Sequence, residues 1–427
     1  MMLEVLEKKL TALCPAAWEL TETKETRWEF YFIGHKLDQN RAVKVLDTEV
    51  KLYCKSEDGQ FLGNASAKIA PTASEAEIEE TLNKLRFEAS LVKNPVYTLT
   101  DTLIEVPAQT EAVDVAAIAG DCIRAIAEVP ETEGQKINSY EIFVSELKRT
   151  TLNSNGVTYT CTYPSTEMEV VVNAKKDAHE IELHRIYNSG TCDGAKLKHD
   201  IARVMQFGAD RLVAAPTPKL GSGTVLFSTA DAATIYDYFV DNMHADYVVR
   251  KISDFTIGEP VAAFEDADRL SIEAVASLPN SSRNFPVDRE GNEIYDRFLI
   301  RDGVAENYCG SRQFSQYLGL AKSSLVTNYK VSGGAKSEEE LRKGDYLEVV
   351  EFSDFHVDAM GGDIAGEIRL GYWHHDGQVK IVTGGSVSGS MTEAAKTMHF
   401  SKETTQYDCK EIPVVTLLSG LRITGVE

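Results

Sequence analysis

The C-terminal half of the chain contains short stretches of β-branched and aromatic residues separated by glycine, and this pattern constrains the fold more than any other feature. It is clearest in "DYLEVVEFSDFHVDAMGGDIAGEIRLGYWHHDGQVKIVTGGSVSG", residues 345–389. Short strands with glycine turns at regular spacing predict a curved antiparallel sheet or a partial barrel. No internal repeat of roughly 20 to 50 residues is evident, so the pattern does not predict a solenoid or a propeller.

The N-terminal half mixes helical and strand-like segments. Leucines at spacings of three and four predict an amphipathic helix over residues 3–13, and a capping box of Ser74 and Glu77 predicts the start of another. The strand-like segments that follow these helices contain turn signals such as Asn155-Gly156. The whole chain is therefore predicted to be an α+β protein.

A break in the pattern at "AAPTPKLGSG" predicts a domain boundary, because its prolines and glycines interrupt any periodic element. We predict an N-terminal α+β domain of residues 1–215, with sub-parts 1–92 and 112–215 joined by a looser connector. Residues 216–427 form the predicted β-rich C-terminal domain.

The negative net charge limits the classes of partner that we expect the protein to bind. The 427 residues include 66 acidic and 44 basic side chains, for a formal net charge of −22. Such a chain repels phosphate backbones and anionic lipid head groups at long range, so we expect neither nucleic acid nor a membrane as a partner. No apolar run of transmembrane length and no secretory leader are evident, and seven scattered cysteines without a C-x-x-C pair predict free thiols. These features predict a cytoplasmic protein.

The stretch "HEIELH" is the most obvious candidate for a metal site, since His179, Glu180 and His184 are residue types that bind and use zinc. The two histidines are five residues apart, which corresponds to roughly 140° on a helix and to opposite faces on a strand. Ile181 and Leu183 alternate with polar residues, so the local pattern predicts a strand of a meander instead of a metal-binding helix.

Two further histidine groups give weaker signals. His374 and His375 are adjacent in "YWHHDG", where neighbouring side chains point to opposite sides of a strand, and this favours a hairpin shoulder over a ligand pair. His356 alternates with Asp354 and Asp358, which predicts a polar strand face more readily than a metal site.

The run "NFPVDREGNEIYDRFLIRDGVAENYCGSRQFSQYLGL", residues 284–320, resembles a segment of the TldD/PmbA family, also called modulators of DNA gyrase. The downstream run "GGDIAGEIRLGYWHHDGQVKIVTGGSVSGSM" is similar to a second family segment, and the likeness extends in order over about residues 150–427. The resemblance implies an α+β N-terminal domain and a β-rich C-terminal domain. The candidate peptide-binding or family-motif residues are Asp288, Glu290, Gly291, Gly362, Asp363 and Gly366.

The metal-binding branch of this family carries an H-E-x-x-x-H signature on the helix that follows the strand after the Pro/Gly linker. In this chain the corresponding helix is "DAATIYDYFVDNM", with Asp237, Tyr238 and Asn242 at the positions of the first histidine, the glutamate and the second histidine. The resemblance therefore implies the PmbA/TldE-type branch, which lacks the zinc motif. "HEIELH" lies well before this helix in the sequence, so we interpret its match to the signature as coincidental.

The resemblance implies a subunit of a TldD/TldE-type metalloprotease that acts on unfolded peptides. We expect this chain to bind no cofactor, and a zinc-bearing TldD-type subunit or a second copy of the chain to be its partner in a dimer. Two alternatives remain open. One is a self-sufficient zinc metallopeptidase that uses His179, Glu180 and His184. The other is a non-enzymatic peptide-binding homodimer.

Overall fold

The computed structural model describes residues 2–102 and 113–426, of which 22% are helical and 44% lie in strands. The helices are α1 (Met2–Leu13), α2 (Glu75–Leu91), α3 (Val115–Ala127), α4 (Gly194–Arg211), α5 (Ala232–Asn242), α6 (Ala245–Val249), α7 (Arg312–Tyr317), α8 (Glu338–Leu341) and α9 (Met391–Ala394), followed by a 3-10 helix at Ala395–Thr397.

The strands of the N-terminal region are β1 (Ala17–Ile33), β2 (Lys36–Lys55), β3 (Leu62–Ile69), β4 (Gln135–Asn153), β5 (Thr158–Lys176) and β6 (His179–Ser189). Those of the C-terminal region are β7 (Ala215–Pro216), β8 (Gly221–Phe227), β9 (Ile272–Val275), β10 (Arg297–Arg301), β11 (Val304–Ala305), β12 (Asn328–Val331), β13 (Tyr346–Val357), β14 (Asp363–His375), β15 (Gln378–Thr383), β16 (Ser386–Ser390), β17 (His399–Phe400), β18 (Thr404–Tyr407), β19 (Lys410–Pro413) and β20 (Thr416–Thr424).

The N-terminal region is one antiparallel sheet in the order β3-β2-β1-β4-β5-β6. Helices α1 and α2 cover one end of the sheet, where Leu6 and Leu82 are buried against Leu52. Helices α3 and α4 cover the other end, with Cys122 and Ile201 in a second core. Each helix presents apolar residues every three or four positions, so one face is buried and the other is solvated.

The C-terminal region contains a closed five-stranded barrel, and the structure also has a curled antiparallel half-barrel sheet. The barrel strands pair in the order β13-β8-β20-β16-β14, and an additional pairing between β13 and β14 closes the ring. A separate sheet has the order β11-β10-β9-β12-β19-β18. Helix α5 packs between these two units, in contact with β13 of the barrel and β19 of the separate sheet. The predicted α+β fold with a curved, β-rich C-terminal domain is confirmed.

Several local predictions are confirmed. The capping box of Ser74 and Glu77 starts α2, and the predicted N-terminal helix is α1. The turn after β4 contains Gly156 with a φ of +81°. Part of the predicted connector between the N-terminal sub-parts, residues 103–112, lies outside the described residues.

The sheets follow the predicted domain boundary in sequence. All strands of the first sheet end by Ser189, and the strands of the other sheets begin at Ala215. The two regions nevertheless share a core, because Val350 and Leu370 of the C-terminal region pack with the apolar residues of α3 and α4. The division at residue 215 into separate domains stays a prediction.

Within residues 2–102 and 113–426, no helix is both long enough and apolar enough to cross a membrane. All seven cysteines are free thiols.

Candidate functional site

A cavity of about 560 Å³ lies where the N-terminal sheet meets the C-terminal region. Its N-terminal wall is formed by β6 and α4, and its C-terminal wall by the start of α5, by β13 and by the turn between β18 and β19. Five consecutive residues of β6, 185–189, line the cavity. Side chains alternate between the two faces of a strand, so an unbroken run of lining residues indicates that the strand edge borders the cavity.

The cavity concentrates charge of both signs. Its charged lining residues are Arg185, Lys196, Arg203, Arg283 and Lys410 together with Asp193, Asp200, Asp231 and Asp408. Five cations against four carboxylates give a local excess of positive charge in a chain whose net charge is −22. An anionic group is therefore repelled less here than elsewhere on the protein.

Most of the carboxylates are held by local partners. Asp193 caps α4 by accepting a hydrogen bond from the Lys196 backbone N–H at 3.1 Å, and Asp200 lies 2.8 Å from the Lys196 ammonium. Asp408 accepts from the backbone N–H and the hydroxyl of Ser282, at 2.8 and 2.7 Å. Burial raises the pKa of Asp231. These contacts tie the acidic side chains to the walls.

One wall of the cavity reaches the helix that corresponds to the family's zinc helix. Lys410, a lining residue, places its ammonium 2.6 Å from Asp237 Oδ2 on α5. The other oxygen, Asp237 Oδ1, accepts a hydrogen bond from the Tyr329 hydroxyl at 2.9 Å. Both carboxylate oxygens thus have protein partners.

The other two aligned positions of α5 contact the loop between β13 and β14. The Asn242 side-chain amide donates to the Ala359 carbonyl at 2.8 Å and to the Tyr238 carbonyl at 2.9 Å. Gly362 is buried beside the Tyr238 ring, with a φ of +71°, and a β-carbon at Gly362 would lie 3.4 Å from that ring. The structure therefore brings Gly362, a predicted motif residue, together with Tyr238.

These contacts test whether the aligned positions suit a zinc ion. Zinc binds thiolate, imidazole and carboxylate groups, usually four together. Here the one carboxylate, Asp237, is paired with an ammonium, and a second cation at that place would be repelled by Lys410. Tyr238 supplies a phenol. Asn242 supplies an amide whose N–H groups donate hydrogen bonds to backbone carbonyls. The donor set does not fit zinc.

"HEIELH" forms β6, as its alternating pattern predicts. His179, Glu180 and His184 are all exposed. In the antiparallel register His179 lies opposite Lys176, and His184 lies opposite Val171. The His184 ring lies 3.0 Å from Glu169 Oε2, and the Glu180 carboxylate accepts a hydrogen bond from Asn173. Each of the three side chains is thus placed separately along a strand, and the cavity lining begins only at Arg185.

Asp288, Glu290 and Gly291 lie in a turn against the N-terminal sheet, outside the cavity lining. Asp288 is 3% exposed and accepts hydrogen bonds from the backbone N–H groups of Glu290 and Asn292, both at 2.9 Å. Burial raises the pKa of Asp288 and that of Glu290. The Tyr159 hydroxyl donates to the Gly291 carbonyl. These are structural contacts, and a peptide-binding role for the three residues stays a prediction.

Asp363 and Gly366 lie on β14. The Asp363 side chain is exposed, and its carbonyl accepts from the Asp358 backbone N–H at 2.9 Å. Gly366 is buried under Phe352 and Phe355, whose ring atoms would lie 2.7–2.8 Å from a β-carbon there. Gly366 therefore makes room for aromatic packing, and neither residue lines the cavity.

The described part of the chain contains one group of side chains with metal-ligand spacing, Asp345, His375 and Asp376. It lies at the β14–β15 hairpin, as the hairpin-shoulder interpretation of "YWHHDG" predicts, and all three side chains are exposed. His375 Nδ1 is 2.7 Å from Asp345 Oδ2, and this contact lowers the pKa of Asp345. This contact accounts for the proximity of His375 and Asp345 without a metal.

Sequence reasoning missed the cavity residues Arg203, Arg283 and Lys410. They come from α4, from a loop and from the start of β19, far apart in the chain. The apolar periodicity of α4 indicated which face is buried, but no local signal indicated that Arg203 faces a cavity. Only the packing of the two regions brings these cations together.

The structure defines an α+β protein that has a large N-terminal sheet, a closed C-terminal barrel and a cavity between them. Known proteins that resemble this chain have been found by sequence and by fold. A model described as the PmbA/TldA metallopeptidase C-terminal domain matches residues 220–425. A curated relative, Metalloprotease PmbA of Escherichia coli O157:H7, is 25% identical over 287 residues. That match covers 63% of this chain, and the chain spans 60% of the relative's length.

Solved structures share the fold over almost the whole chain. TldE from Thermococcus kodakarensis has a TM-score of 0.77 at 14% identity and covers 99% of this chain and 100% of its own. A protein described as a modulator of DNA gyrase from Thermotoga maritima has a TM-score of 0.76 at 15% identity, with 99% of both chains covered. Together these matches support assignment of the chain to the PmbA/TldD family, whose C-terminal domain model matches residues 220–425.

Proposed function

We propose that the protein is a PmbA/TldE-like subunit of a cytoplasmic TldD/TldE-type metalloprotease that acts on unfolded peptides, and that it has no zinc site of its own. The observation that carries the proposal is the ion pair between Lys410 and Asp237, 2.6 Å apart. An ammonium occupies the space beside the carboxylate that replaces the family's first histidine. With Tyr238 in place of the glutamate, the helix also lacks the general base of zinc-hydroxide chemistry.

The edge of β6 supports a role in holding peptide. β6 is the last strand of its sheet, with β5 as its paired neighbour, and residues 185–189 border the cavity. An extended peptide can add to such an edge through main-chain hydrogen bonds, which grip different sequences equally. The edge ends at Gly190, whose N–H already donates to the Asn280 carbonyl at 2.7 Å. The cavity therefore suits a short extended segment.

In this proposal the chemistry is supplied by a partner. A zinc-bearing TldD-type subunit would hold the metal and the bound water. This chain would contribute the cavity that receives the peptide and one face of the dimer. The names of similar proteins, Metalloprotease PmbA and TldE, support a place in a metallopeptidase system.

Metal content and reconstitution test the proposal. The purified chain is expected to contain far less than one zinc per molecule, and to cleave a casein-derived unfolded peptide only after it is mixed with an H-E-x-x-x-H-containing family member. His179→Ala and His184→Ala serve as matched controls and are expected to change neither result, because both side chains are exposed on β6.

Three results would overturn the proposal in different ways. Stoichiometric zinc that is lost in His179→Ala or His184→Ala would establish a self-sufficient metallopeptidase. Peptide binding by a homodimer, with no cleavage after mixing, would establish a non-enzymatic binding protein. Failure of the chain to bind any unfolded peptide would contradict the proposed role in peptide binding.

A further inference from the structure

The cavity contains two guanidinium groups that form no ion pair with any acidic side chain of the described residues. Among the described residues, Lys196 is paired with Asp200, Lys410 with Asp237, and Arg185 with Glu351. Arg203 and Arg283, which also line the cavity, form no ion pair within residues 2–102 and 113–426. A guanidinium that lines a cavity and is not paired with a carboxylate is available to bind an anionic ligand.

Arg203 lines the cavity from α4. It is half-buried on α4, its guanidinium carbon lies 5.6 Å from the centre of the Phe207 ring, and its hydrogen bond to the Ser228 carbonyl is long at 3.5 Å. Burial raises the pKa of Tyr407 to about 12, and the nearby Arg203 opposes that shift. Tyr407, at the end of β18 beside the β18–β19 turn, lines the same cavity.

Arg283 approaches the same turn from an exposed position. Burial raises the pKa of the Cys409 thiol, and the charge of Arg283 opposes this shift. Arg283 and Cys409 both line the cavity. Tyr407 and Cys409 are two residues apart, and this part of the chain lines the cavity together with both guanidinium groups. Arg283 is also three residues from Asn280, which closes the β6 edge at Gly190.

We propose that this cavity binds a carboxylate group of its ligand through Arg203 and Arg283. The inference rests on the proposed peptide-binding function and adds a chemical selectivity to it. A planar carboxylate can accept two parallel N–H donors from a guanidinium, which a neutral amide cannot match. The tyrosine and phenylalanine rings of the lining, such as Tyr407 and Phe207, leave apolar surface for the adjoining side chain.

The carboxylate could come from the end of a peptide or from an acidic side chain, and the experiment separates the two sources. Three short fluorescein-labelled peptides of one unstructured sequence are compared by fluorescence anisotropy with the full chain. The first ends in a free α-carboxylate, the second in an amide, and the third in an amide preceded by glutamate. We expect the first or the third to bind at least roughly tenfold more tightly than the second.

Substitutions connect this preference to the cavity. Arg203→Gln and Arg283→Gln are each expected to reduce binding of the preferred peptide toward that of the plain amide, while binding of the amide stays unchanged. Arg86→Gln, on the exposed face of α2 and outside the cavity lining, is the matched control and should have no effect. Arg203→Lys keeps the charge without the planar fork and should retain part of the preference.

The outcomes are distinct. Equal affinity for all three peptides, or a preference that survives both Gln substitutions, would overturn the carboxylate site while leaving peptide binding intact. No binding of any peptide would overturn the proposed function and this inference with it. A thermal unfolding curve for each variant checks that a lost preference does not reflect lost structure.

Discussion

The Lys410 ammonium lies 2.6 Å from Asp237 Oδ2, and this contact joins the start of β19 to the middle of α5. The side chains are 30% and 32% exposed, so the pair is partly shielded from water. The Tyr329 hydroxyl completes the arrangement by donating to Asp237 Oδ1. Helix α5, which the family resemblance aligns with the zinc motif, is fixed to the neighbouring sheet by an ion pair and a hydrogen bond.

A double-mutant cycle measures that contact. Lys410→Met is expected to lower the free energy of unfolding by about 1 kcal/mol, because Asp237 loses its charged partner in a half-buried site. Asp237→Asn alone should have a similar effect, and the double variant should lose less than the sum of the two. Urea denaturation of the four proteins gives the coupling energy. Strict additivity would show that the pair contributes nothing to stability.

The turn at Gly291 gives a prediction with a matched control. Gly291 has a φ of +77°, and a β-carbon there would lie 2.3 Å from the Tyr159 ring. Gly377, in the β14–β15 hairpin, has a φ of +70° and nothing within 4 Å of the same position. Gly377→Ala should therefore reveal only backbone strain, roughly 1 kcal/mol.

Gly291→Ala adds a steric clash to the same strain, and we expect it to destabilise the chain by roughly 2 kcal/mol more than Gly377→Ala. Thermal and urea unfolding of both variants provide the comparison. Equal losses would mean that Tyr159 moves aside freely, and would contradict the close packing of this turn against the N-terminal sheet.

Glu19 is expected to make stability depend on pH. Burial raises the pKa of Glu19 to about 7 from its ordinary value of 4.5, although Lys51 and the Tyr53 hydroxyl favour the charged form. The folded state therefore holds this proton more tightly than the unfolded state. Its stabilising contribution is complete below pH 4.5 and is lost as the pH rises through 7.

Glu19→Gln removes this titration and keeps an acceptor for the Tyr53 hydroxyl. At pH 8 the variant should be more stable than the parent chain by on the order of 2 kcal/mol, and this advantage should shrink toward pH 5. Urea unfolding at both pH values tests it. A constant difference between the two proteins across that range would show that Glu19 titrates normally.

Sequence periodicity predicted many of the strands and helices. The alternation of Ile181 and Leu183 was enough to assign "HEIELH" to a strand, and the strand–helix order after the linker located α5. Barrel closure could not be predicted, because it depends on the pairing of β13 with β8, which lies far from β13 in the sequence. Residue identity also did not reveal that Lys410 would meet Asp237, since that contact exists only after the second sheet packs on α5.

Two tyrosines beside the α3–α4 core give the last prediction, because they differ in one hydrogen bond. The Tyr187 hydroxyl is buried without a hydrogen-bond partner among the described residues, whereas the Tyr372 hydroxyl donates to Asp210 Oδ2 at 2.6 Å. A buried, unpaired hydroxyl loses its water contacts without compensation. Tyr187→Phe should therefore raise the free energy of unfolding by about 1 kcal/mol, while Tyr372→Phe should lower it by a similar amount, since it leaves Asp210 without this donor. Urea denaturation of both variants decides the matter. A loss of stability in Tyr187→Phe equal to that in Tyr372→Phe would show that the Tyr187 hydroxyl has a partner in solution, such as a bound water.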